Sequence, residues 1–178
     1  LFTKQHLLIR FCLIEKKIWI SRRYLLTSVQ VEWVFVKTRM VKKYYFERIK
    51  GAWMLEAINL RPIKQNDNEN FVEFFGHFAA DSLFQSKRVC EPLAFVTTDP
   101  DDDFSILETT LDLNQWFAFK PGLPADRLSN INYGQRNDDD SPTKILALKG
   151  IGNGFSNILY FRRKAGEWEL YKFEDTSI

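Results

Sequence analysis

Three polar side chains follow one another closely between residues 81 and 88. Asp81, Gln85 and Arg88 offer a carboxylate, an amide and a guanidinium, which together can hold a polar ligand through several hydrogen bonds. The same groups can instead fix the chain, with Asp81 paired to Arg88 and Gln85 bonded to the backbone of a turn. The sequence therefore predicts a polar cluster at a helix–strand junction, with either a structural or a ligand-binding role.

His77 and Asp81 form a second candidate, because residues four apart can meet on one face of a helix. An acid–histidine pair that opened into a pocket would suit general base catalysis. We favour a solvent-facing histidine instead, since His77 lies opposite the phenylalanine stripe of the predicted helix. No catalytic residue is assigned.

Two acidic runs, Asp99–Asp103 and Asp138–Asp140, invite a calcium hypothesis. Neither has the alternating carboxylates, the central glycine and the distant glutamate of a calcium loop. Pro100 and Pro142 are typical of exposed turns. The chain has only two histidines and no zinc-ligand spacing, so the sequence predicts no metal and no cofactor.

Aromatic side chains are the last group of candidates. Trp116, Phe117 and Phe119 precede a loop rich in proline and glycine, where they can line a pocket mouth or an interface, and Tyr133 is a further candidate of this kind. An enzyme would need Asp112, Tyr133 or another polar side chain to point inward from the sheet. We predict pocket or interface aromatics at these positions.

One helix and several strands must position these residues. Phe71–Phe84 carries phenylalanine at positions 71, 74, 75 and 78, the spacing of one helix face. Strands are predicted at Lys4–Ile14, Lys17–Leu26, Val29–Val36, Tyr44–Ile49, Ala52–Leu60, Arg88–Thr97, Phe104–Leu113, Ile145–Lys149, Asn157–Arg163 and Glu167–Phe173. A helix with a mostly antiparallel sheet is an α+β arrangement.

Composition limits the classes of protein to which this chain can belong. The apolar fraction of 45% is typical of a soluble globular chain, and the net charge of +2 argues against a nucleic-acid binder. Residues 1–60 hold 12 Lys/Arg against 4 Glu. This basic half either binds an acidic partner or, as we favour, carries solvent-facing charges that attract the acidic half.

No stretch reaches the roughly 18 apolar residues of a membrane helix. Cys12 and Cys90 leave open a disulfide or two free thiols.

One segment of the chain occurs twice. Tyr45–Leu55 (YFERIKGAWML) and Tyr160–Leu170 (YFRRKAGEWEL) share six of eleven residues without a gap, and each pattern predicts two strands around a glycine turn. Residues 1–60 are therefore predicted to be a strand-rich, incomplete first repeat. Residues 61–67 are polar with one proline and form a predicted linker, and residues 68–178 form the complete domain.

The segment 71–93 resembles an uncharacterised, mainly Bacteroidetes family of the nuclear transport factor 2-like superfamily. The pattern Asp-x-x-Phe-Gln-x-x-Arg-hydrophobic-x-x-Pro-hydrophobic is carried by Asp81, Phe84, Gln85, Arg88, Val89, Pro92 and Leu93. The hairpin around Gly166 and Trp168 is similar to the last two strands of that family, whereas Glu91 stands where the family has an aromatic residue. The resemblance implies a cone-shaped, strongly bent sheet wrapped around helices, tandem copies, and export to the periplasm or cell surface.

Three functional hypotheses follow. The first is a non-enzymatic module that binds an unknown small molecule or protein. The second is an isomerase- or dehydratase-type enzyme that uses the cone pocket, which the fold alone cannot establish. The third is a structural module that self-associates, for example as a homodimer through an open sheet face.

Overall fold

The computed structural model describes residues 7–11, 26–64, 69–132 and 141–178. Within these ranges the chain forms ten strands and three helices. The strands are β1 (Leu7–Phe11), β2 (Ser28–Phe35), β3 (Met40–Ile49), β4 (Ala52–Pro62), β5 (Val89–Asp99), β6 (Asp102–Leu111), β7 (Arg127–Asn132), β8 (Thr143–Gly150), β9 (Ser156–Lys164) and β10 (Glu167–Asp175). The helices are α1 (Glu69–Ala80), α2 (Ser82–Ser86) and α3 (Leu113–Phe119). In this part of the protein no helix is long and apolar enough to cross a membrane.

All ten strands join one sheet in the order β4-β3-β2-β7-β1-β8-β9-β10-β5-β6. Neighbouring strands are antiparallel except at two places, where β1 pairs with β7 and β5 pairs with β10 in parallel. Strands of residues 1–60 thus pair with strands of residues 68–178 in a continuous sheet. The division into 1–60, 61–67 and 68–178 stays a prediction.

Aromatic side chains of α1 form the centre of the main core. Phe71, Phe75 and Phe78 are fully buried, as the helical spacing predicts, and they pack against β9 and β10. Gly76 allows α1 to approach the end of β2 closely, since a Cβ atom there would lie 3.1 Å from Val36 Cγ1. The helix therefore lies directly on one face of the sheet.

The predicted single helix Phe71–Phe84 is two helices. Asp81 has an extended backbone (φ −122°, ψ 113°), which ends α1 and lets the Asp81 side chain cap the first turn of α2. The same break turns Leu83 outward, where its side chain is exposed. The helical periodicity predicted the two helices together but not the interruption between them.

Two elements were absent from the sequence prediction. Helix α3 begins at the capping box of Asp112 and Gln115, in which each side chain binds the other residue's backbone N–H. Strand β7 lies between β2 and β1, with Leu128 and Asn130 facing the buried side. Its sequence, RLSNIN, has little of the apolar content that marks a central strand.

Candidate interaction face

Asp81 serves as the N-cap of α2. Its Oδ1 accepts hydrogen bonds from the backbone N–H groups of Leu83 at 2.8 Å and Phe84 at 3.2 Å. The pairing of Asp81 with Arg88 was wrong, because the carboxylate is held by the helix end while Arg88 bonds to Glu167 on β10. The neighbouring His77 is exposed, and its ring lies 5.7 Å from the ring of Phe84.

Gln85 is buried at the junction of α1, α2 and α3. Its Nε2 donates to the carbonyl oxygen of Phe78 at 2.6 Å, near the end of α1. Its Oε1 accepts from Trp116 Nε1 at 3.2 Å and from Lys120 Nζ at 3.0 Å. One amide therefore satisfies one polar group of α1 and two at α3, so its position in the structure serves the packing of helices.

Arg88 forms a two-pronged ion pair with Glu167 at the start of β10. Its Nη1 binds Oε2 of Glu167, and its Nη2 donates to Oε1 at 2.8 Å. The hydrogen bond from Arg88 holds the pKa of the Glu167 carboxyl below its ordinary value. The structure thus places Asp81, Gln85 and Arg88 at one junction with three separate sets of partners.

The Arg88–Glu167 pair gives a pH-dependent prediction. Because the pKa of Glu167 is lower in the folded state, the pair stabilises the fold above the unfolded carboxyl pKa of about 4.3, and this contribution is lost as the pH falls. A double-mutant cycle with Arg88→Met and Glu167→Gln, followed by urea unfolding, should give a coupling near neutral pH that disappears below about pH 3. Glu108→Gln, on exposed β6, is the control. A coupling that does not change with pH would contradict a stabilising ion pair between Arg88 and the ionised carboxylate of Glu167.

A shallow cleft of about 290 Å³ opens beside this pair. Its walls are the outer side of α1, Phe84, Arg88 and the β9–β10 turn. Trp168 lies in its wall with a buried Nε1 that has no hydrogen-bond partner in the described part of the chain. Much of the polar lining is already engaged, since Arg88 and Glu167 bind each other.

The predicted aromatic candidates have three different environments. Trp116 is fully buried in the main core, and Phe117 packs half-buried against the same core. Phe119 is 58% exposed, with its ring 6.5 Å from that of Phe95. Tyr133 lies outside the described residues. Asp112, one of the polar side chains that an enzyme could direct inward, is exposed and caps α3.

Rings fill the space between α1 and the last two strands. Phe161 of β9 lies within 5.4 Å of both Phe71 and Phe78, measured between ring centroids. Trp168 of β10 lies 5.0 Å from Phe71, and Phe173 lies 5.4 Å from Trp116. This part of the interior is a packed aromatic core.

The β3–β4 hairpin presents a very different surface. We call the residues Tyr44, Phe46, Trp53, Leu55, Ile58 and Leu60 the β3–β4 face. They lie on one side of the sheet because directly paired residues of antiparallel strands share a side, as Phe46 does with Leu55 and Tyr44 with Ile58. The four residues on β4 are between 44% and 58% exposed. Contiguous apolar exposure of this kind marks interaction surfaces.

The two hairpins of the repeated sequence have the same geometry. Their turns place Lys50 and Gly51, or Ala165 and Gly166, at positive φ of 50° and 88°, or 51° and 85°. These angles are typical of the two-residue turns that suit a hairpin's twist. Each hairpin also has a register shift at the same place, so that Glu56 in one and Tyr171 in the other have no direct partner.

The register shift decides which side chains share a face. Leu55 and Ile58 are three residues apart and would alternate sides in a regular strand, but the extra residue Glu56 brings them to the same side. Leu170 and Phe173 are brought together in the same way. Five residues of the β3–β4 face therefore correspond to buried residues of β9 and β10, and Leu60 corresponds to Asp175 at the end of β10.

Cations and aromatic rings extend this face onto β2 and β7. The rings of Trp33 and Tyr44 meet edge to face at 5.0 Å. The guanidinium of Arg127 lies 4.4 Å from the Trp33 ring, and Lys42 Nζ lies 5.1 Å from that of Tyr44. The apolar face is thus bordered by positive charge.

Sequence reasoning missed a buried polar cluster on the opposite side of β2, β3 and β7. Glu32 accepts hydrogen bonds from Gln30 and from Asn130 Nδ2, and it lies 2.8 Å from Lys43 Nζ. Asn130 Oδ1 has no hydrogen-bond partner within the described residues. The alternation of Gln30 and Glu32 with valines signalled that these residues share a side. It did not signal that this is the side facing α1.

The remaining predicted features are local. Asp99 Oδ1 accepts from the backbone N–H of Asp101 at 2.9 Å, which fixes the β5–β6 turn, and Asp138–Asp140 lie outside the described residues. Cys90 is a free thiol, while Cys12 lies outside the described residues. Burial, followed by the nearby charge of Glu169, raises the pKa of the Cys90 thiol.

The fold, with helices packed on a mostly antiparallel sheet, is that of nuclear transport factor 2-like proteins. A crystal structure of a nuclear transport factor 2-like protein from Bacteroides fragilis NCTC 9343 matches with a TM-score of 0.88 and 75% sequence identity, over 100% of this chain and 77% of that one. The chain belongs to the family described as a domain of unknown function (DUF4348), which it matches over residues 1–175. No curated protein matches the sequence. The predicted α+β cone fold is confirmed.

Proposed function

We propose that the protein is a non-enzymatic interaction module that binds another polypeptide through the β3–β4 face. The observation that carries the proposal is the unequal burial of two equivalent hairpins. Trp168 and Leu170 are buried beneath α1, whereas Trp53 and Leu55 are exposed. Leaving so much apolar surface in water forgoes about 25 cal/mol for each Å² that a partner would cover.

Tandem organisation is part of this proposal. The shared turn angles, the shared register shift and the six identical residues support two copies of one module, and within the described residues α1 packs on the second copy's hairpin. The exposed face is then a surface that evolved as the inside of a domain. Such a surface is shaped to receive another element rather than water.

A second copy of the chain is the alternative partner. Among the strands that the structure describes, β4 lies at the edge of the sheet, where its outer backbone groups can pair with another strand. Two β3–β4 faces could also stack to form a homodimer. Sedimentation velocity over a range of protein concentrations distinguishes this arrangement, because only self-association raises the mass of the purified protein as it is concentrated.

The proposal is tested by photo-crosslinking in the cells that make the protein. A photo-reactive amino acid replaces Leu55 on the face, and in a control protein it replaces Ile106, an exposed residue on the opposite edge strand β6. We expect discrete protein adducts from position 55 that a Trp53→Ser change removes, and none of these adducts from position 106. Identical adducts from both positions, or none from position 55, would overturn the proposal.

Export to the periplasm or cell surface also belongs to the proposal and rests on the family resemblance alone. Cell fractionation with an antibody against the protein tests it. Recovery with periplasmic or surface markers is the expected result, and recovery with cytoplasmic markers would contradict it.

A further inference from the structure

We infer that the partner of the β3–β4 face is an amphipathic helix that presents aromatic side chains one turn apart and carries acidic residues beside them. This inference rests on the proposed function, and it specifies the class of partner. The equivalent surface of β9 and β10 shows which element fits such a face.

Helix α1 is the element that covers β9 and β10. Phe71 contacts both Trp168 and Phe161, with ring centroids 5.0 Å and 5.4 Å apart, and Phe74 contacts Phe161 at 5.8 Å. These two phenylalanines lie three residues apart and so point to the same side of the helix. The covering element is therefore a helix with an aromatic stripe.

The β3–β4 face repeats the residues that α1 contacts. Trp53 stands at the position of Trp168, and Phe46 stands at the position of Phe161. Leu55 corresponds to Leu170, which is fully buried. A helix that offers two aromatic rings at a spacing of three or four residues can thus make the same edge-to-face contacts with Trp53 and Phe46.

Charge selects among helices of this kind. Arg48 pairs with Trp53 across the hairpin, as Arg163 pairs with Trp168. The guanidinium of Arg163 lies 5.6 Å from the Trp168 ring, so an arginine stands beside the tryptophan of this surface. Glu73 of α1 lies on the outer side of that helix, where its carboxylate is 3.9 Å from Arg39. Lys42 adds a second positive charge at the border of the β3–β4 face. An acidic residue of the partner helix, one turn from its aromatic stripe, would complement the charges of Arg48 and Lys42.

A synthetic helix of known sequence tests whether the β3–β4 face binds a helix of this kind. The probe is a side-chain-stapled, fluorescently labelled peptide with the sequence of α1 (Glu69–Ala80), and the matched peptide carries serine in place of Phe71 and Phe74. Fluorescence anisotropy measures binding to the intact protein. We expect saturable binding of the first peptide only. The affinity should fall at least about tenfold with Leu55→Asp, which sets a charge in the apolar contact, and stay unchanged with Ile106→Asp.

A charge reversal tests whether charge complementarity contributes to binding of the helix. Arg48→Glu should weaken binding of the α1 peptide, and a peptide with Glu73→Lys should recover it on this variant. Equal binding of both peptides, or equal binding to the Leu55→Asp variant, would overturn the inference.

The two proposals fail separately. If neither peptide binds while position 55 still gives specific photo-crosslinks in cells, the helix inference is wrong and the interaction function stands. If the cross-linked residues belong to a strand paired with the edge of β4, the same conclusion holds. If specific crosslinks are also lacking, both proposals are wrong.

Discussion

Replacing Phe161 by alanine should lower the free energy of unfolding by about 3–5 kcal/mol. Phe161 is fully buried and its ring contacts those of four phenylalanines on α1, namely Phe71, Phe74, Phe75 and Phe78. Alanine would remove these contacts and leave a cavity that a helix and a sheet cannot close without moving apart. Urea denaturation followed by circular dichroism measures the loss.

Phe46→Ala is the matched control, because Phe46 occupies the same position in the first hairpin. It is only half-buried, and we expect its loss to lower the free energy of unfolding by about 1 kcal/mol or less. Equal losses at the two positions would show that the β3–β4 face is covered in the folded protein. That result would contradict the different burial of Phe46 and Phe161 in the two hairpins.

The second large effect concerns the buried amide of Gln85. Gln85→Leu keeps roughly the same volume but leaves Trp116 Nε1 and the Phe78 carbonyl without their partner, which should lower the free energy of unfolding by about 3 kcal/mol. The loss should be smaller in a Trp116→Phe background, because that background has no indole donor to leave unpaired. Urea unfolding of the four proteins measures the coupling.

Gln85→Glu supplies the control for this prediction. A carboxylate keeps the acceptor for Trp116 and for Lys120 but cannot donate to the Phe78 carbonyl. We expect an intermediate loss of stability. A cost below about 1 kcal/mol for Gln85→Leu would contradict a bridging role for this residue.

The elements with strong patterns were predictable from the sequence. The stripe of phenylalanines predicted α1, and the alternating apolar residues around glycine turns predicted β3, β4, β9 and β10. The break at Asp81 was not predicted, because an aspartate inside a helical pattern differs from a cap only in its backbone angles. Strand β7 was missed since its buried Asn130 is polar, and its partners are distant in sequence.

Contacts between distant residues were the least predictable part of the site. Asp81, Gln85 and Arg88 were predicted as a group, but the partner of Arg88 is Glu167, 79 residues away. The repeat did predict that two hairpins would be alike. It could not tell which of them would be covered, because that depends on where α1 packs.

The accessibility of a cysteine at two equivalent positions tests the central claim most directly. Leu55→Cys and Leu170→Cys are made in a protein whose Cys12 and Cys90 are replaced by serine, and the rate of alkylation by iodoacetamide is measured under native conditions. We predict that the thiol at position 55 reacts about as fast as a small-molecule thiol. The thiol at position 170 should react at least about a thousandfold more slowly, since it must wait for unfolding. Comparable protection of both thiols would contradict an open β3–β4 face.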